Sequence, residues 1–218
     1  MLLYAVVPGD ATAPDRQGLT GHRLEIIRSA LAAMIVEECT GDFHATKENS
    51  LAFAEIICSL KTIAPMLPIR FPTMLATQSA VLAQLQANET AWHHRLTELQ
   101  GLSEVVIRAQ WPEPEPERID ASFIPTGTSY LLSRAAALQR RDASVAEISE
   151  LVRQWVREIK VLPSQQGIRI ACLVANDDIP ELKEAVLGWQ QAGDHRHVVV
   201  NGPWPPFSFV VDQEAVGA

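Results

Sequence analysis

The stretch NGPWPPFSFVV, residues 201 to 211, decides how this chain is read. Pro203, Pro205 and Pro206 bracket Trp204 and run into Phe207-Ser208-Phe209-Val210-Val211, which alternates like a strand. Proline holds φ fixed and has no N–H to donate, so ordinary sheet pairing is excluded across the prolines. The pattern therefore presets a corner and starts a last strand at about Phe207. That strand, FSFVVD, is expected at a sheet edge, where pairing with another chain is available to it.

Upstream of the corner the chain alternates strand and helix signals. Leu3–Val7 is a short apolar run closed by Pro8-Gly9 and reads as a central strand. Leu24–Ile27 and Ala30–Cys39 are two adjacent strand-like runs, and their adjacency predicts a hairpin. Thr46 is placed to cap a helix to about Lys61, and Met66–Phe71 reads as a buried strand pinned by Pro65, Pro68 and Pro72. From Thr77, the residues Val81, Leu85, Trp92, Leu96 and Leu99 recur at helical spacing until Gly101, and Ser103–Trp111 is again a strand.

The second half obeys the same logic. Residues 128–160 are expected to be mostly helical, as two helices or one kinked helix, because Gln139–Asp142 interrupts the apolar face and Ser144 with Glu147 fits a capping box. The second helix would align Val145, Ile148, Val152, Trp155 and Ile159 on one stripe. Ile168–Ala175 is a strand, Asp178-x-x-Glu181 caps a helix to about Gln191, and His197–Asn201 begins a final strand pair. Strands interleaved with helices, with adjacent strands at both ends, predict an α+β fold with mixed or antiparallel sheets flanked by helices. The run PEPEPER, residues 112–118, alternates a stiff residue with a repelling carboxylate and forms an extended connector. It divides the chain into an N-terminal α+β domain (1–111), a Pro/Glu linker (112–121) and a C-terminal α+β domain (122–218). Strand 103–111 is available to pair with the C-terminal sheet.

Composition narrows the function. With 218 residues, 47% hydrophobic and 20% charged, the chain can bury a real core. The net charge is −8, from 26 acidic and 18 basic residues without a basic cluster, so no electrostatic footprint for nucleic acid is visible. No apolar run approaches the roughly 18 residues that spanning a bilayer needs, and Met1–Val7 lacks the basic flank of a signal peptide. A cytoplasmic protein is the expectation. Cys39, Cys58 and Cys172 form no disulfide framework or CxxC motif and read as small buried hydrophobes.

Candidate chemistry is sparse. His195-Arg196-His197 would place two imidazoles on one face of a strand, a spacing able to chelate a metal, but no third ligand is specified. His93-His94 point about 100° apart on a helix and cannot share an ion well. Asn176-Asp177-Asp178 follows a strand, where catalytic acids occur in open sheets, yet helix capping accounts for it. Thr126-Gly127-Thr128-Ser129 offers helix N-terminal amides to an anion but lacks a phosphate-loop pattern. No catalytic residue, cofactor or metal is predicted.

The opening stretch resembles the C-terminal signature of the gas vesicle protein L/F family, which reads Gly-Pro-Trp-Pro-Pro, then Tyr or Phe, then Ser-Phe-Val. The match runs almost residue for residue from Gly202 to Val210, and further landmarks recur in order. These are Tyr4-Ala5-Val6-Val7, Leu31-Ala32-Ala33, PMLPIRF with Pro68, Arg70 and Phe71, and GTSYLLSR with Gly127, Tyr130 and Arg134. The sequence departs from the family pattern at Phe53, where a histidine is frequent, at Pro72, and at Glu104-Val105-Val106-Ile107. The resemblance implies two α+β domains, the C-terminal one ferredoxin-like, and a minor structural or assembly role in the gas vesicle without catalysis. The implied partners are the hydrophobic shell protein and other vesicle accessory proteins, with Gly202, Pro203, Trp204, Pro205, Pro206, Phe207 and Phe209 as the matching motif. Trp204, Pro205, Pro206, Phe207 and Phe209 are its candidate contact residues. Two other readings remain: a small-molecule- or metal-binding enzyme domain using His195, His197, Asp177 and Arg70, and a general adaptor unrelated to vesicles.

Overall fold

In the computed structural model, residues 1–39, 44–60, 63, 65–110, 127–164, 167–191 and 197–210 are described. The Pro/Glu run at 112–121 lies outside them. The chain divides into two compact units, one formed by residues 1–103 with 204–218, the other by residues 104–203.

The first unit is built on a four-stranded sheet in the order β2-β3-β1-β4, from β1 (Leu2–Pro8), β2 (Leu24–Arg28), β3 (Ala32–Glu37) and β4 (Leu67–Pro68). β2 and β3 form the expected antiparallel hairpin, and β1 pairs antiparallel with both β3 and β4. β1 lies inside the sheet and is buried on both faces, which is why Leu2–Val7 is apolar without interruption. Its register slips once: Leu3 faces Val36 and Ala5 faces Ile35, so Tyr4 is the extra residue of a bulge. The slip turns Leu2, Tyr4, Ala5 and Val7 toward one core, where they meet Phe53, Ile56 and Ile57 of helix α1 (Lys47–Ser59). Helix α2 (Gln78–Glu98) packs against β1, β2 and β3 and buries Val81, Leu85, Trp92 and Leu96. Both helices start as the sequence predicts: Thr46 accepts from the Asn49 amide and Thr77 from the Ala80 amide, each satisfying one free N–H of a first turn. The strand expected at Met66–Phe71 shrinks to Leu67–Pro68. Pro68 has no N–H to continue a ladder, and two residues at a sheet edge are all that pair.

The second unit runs β5 (Leu102–Gln110), α3 (Gly127–Val152), β6 (Val156–Val161), β7 (Ile168–Ala175), α4 (Ile179–Gln191) and β8 (His197–Trp204). Its antiparallel sheet has the order β6-β7-β5-β8. That βαββαβ chain order with β5 and β7 central is the ferredoxin-like arrangement. One face carries the core: Val105, Ile107 and Ala109 of β5, Ile168, Ile170, Cys172 and Val174 of β7, Ile148 and Val152 of α3, and Leu182 and Val186 of α4. Fully burying one such aliphatic side chain contributes roughly 1.5–3 kcal/mol. The alternation of these core residues along β7 places one face under the helices.

Three expectations fail here. Of the two alternatives it is a single helix that forms, from Gly127 to Val152, and the capping box fails because Ser144 is buried within that helix and does not start a new one. It also stops well short of residue 160, because Val156–Val161 forms strand β6 and pairs antiparallel with β7 from Val156↔Val174 to Val161↔Ile170. Trp155 and Ile159 still pack on the same core as α3, so the apolar stripe is real while its last members are not helical. Likewise His197 begins one edge strand and not a strand pair.

Candidate functional site

The motif at the corner is held residue by residue. β8 continues through Gly202, Pro203 and Trp204, which an outermost strand permits because the missing N–H of Pro203 breaks no internal ladder. Gly202 adopts φ 131°, a conformation that side-chain-bearing residues rarely reach, and the Gly202–Pro203 bond is cis. Lys183 of α4 donates from Nζ to the Gly202 carbonyl at 3.0 Å.

From Trp204 onward the chain belongs to the first unit. Pro205 and Pro206 are buried, and Phe207–Phe209 forms a single 3-10 turn with the Phe209 amide bonded to the Pro206 carbonyl at 3.0 Å. This corrects the expected last strand at FSFVVD: the strand lies before the prolines, and the residues after them form a turn. Two consecutive prolines cannot continue a ladder, and the turn brings Phe209 inward. The Arg95 guanidinium of α2 grips its backbone, with Nε at 3.0 Å and Nη2 at 2.8 Å from the Phe209 carbonyl, while Nη1 donates to Glu98 at 2.9 Å. Residues 211–218 lie outside the described set.

The outcome is an alternation of exposure along a stiff segment. Trp204 is 40% and Phe207 38% exposed, whereas Phe209 is 1% exposed. The segment carries no Asp, Glu, His or Cys, and Ser208 supplies its one hydroxyl. Its chemistry is that of two aromatic surfaces presented by a backbone with little freedom to withdraw them.

A second cluster gathers the N-terminal motif residues. Tyr4 stacks on Phe53 with ring centroids 4.9 Å apart at 17°, and Phe53 meets Phe71 at 4.9 Å. The Tyr4 hydroxyl donates to Glu37 Oε2 at 2.7 Å and accepts from the Leu19 amide at 2.8 Å. Glu37 is fully buried at the end of β3, and its Oε1 accepts from the Thr20 amide, the Thr20 hydroxyl and the His22 amide at 2.9, 2.6 and 3.2 Å. A buried carboxylate is tolerable only with such a complement of donors. Gly18 sits so close that an added Cβ would collide with the Glu37 carboxyl and the Tyr4 hydroxyl. Burial and then the hydrogen bond to Glu37 push the Tyr4 phenol far above its ordinary range, so it is no acid or base near neutrality. This is a device for seating the loop before β2. Pro68 lies opposite Ala5 in the sheet, and Arg70 is exposed with its carbonyl accepting from the Thr73 hydroxyl. Gly127, Tyr130 and Arg134 occupy the first turns of α3, and their side chains lie outside the described residues.

Of the residues of the enzyme reading, Asp177 and His197 are the two that are described within one unit, and the sheet separates them. β7 and β8 both lie antiparallel to β5 and so run in the same direction. Asp177, in the 3-10 turn after β7, and His197, at the start of β8, therefore occupy opposite ends of the sheet. His195 lies outside the described residues, and Arg70 belongs to the other unit. Among the described residues, no group of three His, Cys, Asp or Glu side chains is arranged to hold a metal. Burial, with the Glu104 charge as a lesser cause, pushes the Cys172 thiol up to about 12, which removes it as a nucleophile.

Sequence reasoning missed Glu37, Gly18, Arg95 and Lys183. Glu37 carried a usable signal, as the charged end of the apolar run AAMIVE beside a tyrosine-bearing central strand. The two cations carried none, since each acts on a distant backbone carbonyl.

Comparison with known proteins agrees with this geometry. The family model described as gas vesicle synthesis protein GvpL/GvpF matches residues 1–211, through the whole corner motif. Gas vesicle protein F of a Streptomyces species is 29% identical over 222 residues, covering 90% of this chain and 93% of that protein. The crystal structure of the gas vesicle protein GvpF from an Anabaena species superposes with a TM-score of 0.81 at 15% identity, covering 96% of this chain and 95% of that one. GvpF from Microcystis aeruginosa gives a TM-score of 0.77 at 16% identity, covering 95% and 97%. At these identities the structural likeness speaks to the fold. Among the described residues no helix is long and apolar enough to cross a membrane.

Proposed function

The chain belongs to the gas vesicle synthesis protein GvpL/GvpF family, and on that premise we propose that it is a non-catalytic assembly or minor structural protein that binds the hydrophobic vesicle shell protein. It works in the cytoplasm at the growing vesicle, alongside other vesicle accessory proteins. The observation that carries the reading is the corner: Trp204 and Phe207 are held 40% and 38% exposed while the next aromatic, Phe209, is sunk and gripped by Arg95. Tryptophan is among the residues that anchor interfaces, and a backbone already fixed loses little entropy on binding. An acidic chain of net charge −8 stays soluble while offering that small apolar surface to a far more hydrophobic subunit.

The test is retention of soluble shell subunit on the immobilised protein, comparing wild type with Trp204→Ala and Phe207→Ala. Each variant is expected to fold and to bind at least about tenfold more weakly, the scale of a modest hot spot. Wild-type retention by both folded variants would remove the corner from the interface. Absence of retention by the wild type would remove the shell protein as partner.

A further inference from the structure

The four outer strands of the two sheets differ in how they are protected. An outermost strand exposes unpaired N–H and C=O groups, and natural sheets blunt such edges with charge, proline or brevity. β4 is two residues long and ends in Pro68. β2 carries exposed Glu25 and Arg28. β6 carries Arg157, Glu158 and Lys160 among its six residues. β8, eight residues of sequence HVVVNGPW, has no Lys, Arg, Asp or Glu at all. Its blunting device, Pro203, lies near the strand's end, and the Gly202 carbonyl beside it is already taken by Lys183. His197–Asn201 remains, a run of about the length of an average strand. It is fixed in place by Val198, which is buried in the core, and it shows Val199 37% exposed.

From this contrast we infer that the His197–Asn201 edge of β8 is a strand-addition surface for an extended, uncharged segment of the shell subunit. Main-chain hydrogen bonds to the added strand give the affinity, and the lack of charge along the edge selects an uncharged segment. A second copy of this chain is the less suited occupant, because pairing two molecules of net charge −8 sets like charge against like. The inference rests on the reading above, in which the partner is the shell subunit, and it adds how that subunit is held.

The experiment measures shell-subunit affinity for the full chain, for Val199→Lys, and for Val161→Lys, which places the same charge on the opposite outer strand β6. Backbone amide exchange of the wild type is followed with and without the subunit. The expected result is at least a tenfold loss of affinity for Val199→Lys, none for Val161→Lys, and new protection of the His197–Asn201 amides in the complex. Shell subunit retained equally by both variants, with those amides still exchanging freely, overturns the inference and leaves the shell-binding reading intact. No retention by the wild type overturns both. Protection that rises with the concentration of this protein alone, and vanishes in Val199→Lys, overturns it in favour of self-pairing. The exchange arm uses unsubstituted protein, so it decides the matter even if Val199→Lys fails to fold.

Discussion

Replacing Phe209 by alanine separates the two jobs of the corner motif. Phe209 is 1% exposed, and its carbonyl, not its ring, is what Arg95 grips. Truncation therefore leaves the hydrogen bonds in place and removes packing alone. Emptying a fully buried phenylalanine site costs about 3–5 kcal/mol, the transfer of the ring plus the void it leaves. Trp204 is larger but 40% exposed, so its truncation costs about 2–3 kcal/mol by the same reasoning scaled to its buried part. For a chain of this size each kcal/mol lowers the melting temperature by roughly 2–4 °C, which puts Phe209→Ala roughly 6–20 °C below wild type. Phe209 belongs to the first unit, so faster amide exchange should be concentrated in β1 and β3 and not in β7. Urea unfolding monitored by circular dichroism, with exchange to locate the loss, is the measurement. A Phe209→Ala protein within about 1 kcal/mol of wild type, or a Trp204→Ala protein less stable than it, would refute the division into a buried anchor and an exposed pair.

Three other contacts carry predictions of their own. Arg95→Ala strips two charge-assisted hydrogen bonds from a partly buried carbonyl and should lower stability by about 1.5–3 kcal/mol in urea; a loss below about 0.5 kcal/mol would mean that the turn holds itself. Gly18→Ala forces a methyl group against the Glu37 carboxyl and the Tyr4 hydroxyl, so thermal denaturation should show a loss of about 1–3 kcal/mol with faster exchange at Leu19 and Thr20. Glu89 accepts hydrogen bonds from the Ser29 hydroxyl and from the Leu31 amide at 2.7 Å, which hold its carboxyl below the ordinary 4.5. A carboxyl lowered on folding contributes stability that is complete above 4.5 and fades as the pH falls through the folded value. Glu89→Gln should therefore flatten the acid limb of the stability profile, and an unchanged limb would show that another group governs it.

Much of the fold was legible because periodicity was the whole signal. Ile168–Ala175 is an almost uninterrupted apolar run, broken only by Arg169, as a strand buried on both faces should be, and it is a strand over those same residues. The stripe Val81, Leu85, Trp92, Leu96 needed only a helix with one buried face. β6 was illegible for a physical reason: Trp155 and Ile159 fall at helical spacing from Val152, and they do join the same core, so the pattern reports membership of the core without reporting conformation. What decides the strand is pairing with β7 downstream, a tertiary effect that a local reading cannot weigh. The same limit applies at Phe207-Ser208-Phe209, where alternation of aromatic and small residues suits a strand and a single 3-10 turn equally well.

The site was legible in its rigidity and illegible in its anchoring. Prolines announce fixed φ in any context, so a preset corner could be read from residues 201–211 directly. Its fastening could not, because Arg95 and Phe209 are 114 positions apart and Glu37 reaches back 33 positions to Tyr4. Neither contact leaves a local pattern. The anchoring nevertheless determines what the rigidity is for. A stiff segment gripped by Arg95 at Phe209 presents its side chains in a set order, and here the order is Trp204 outward, Pro205 and Pro206 inward, Phe207 outward, Phe209 inward. A flexible loop with the same aromatics would collapse them onto its own core and lose ordering entropy to display them. Stiffness without the Arg95 tie would fix the shape of the corner but not its aim. On the proposed reading, then, binding should fail in two distinguishable ways: Trp204→Ala removes the surface and leaves the aim, whereas Arg95→Ala leaves the surface and loses the aim, and only in the second should a longer, looser association replace the short specific one.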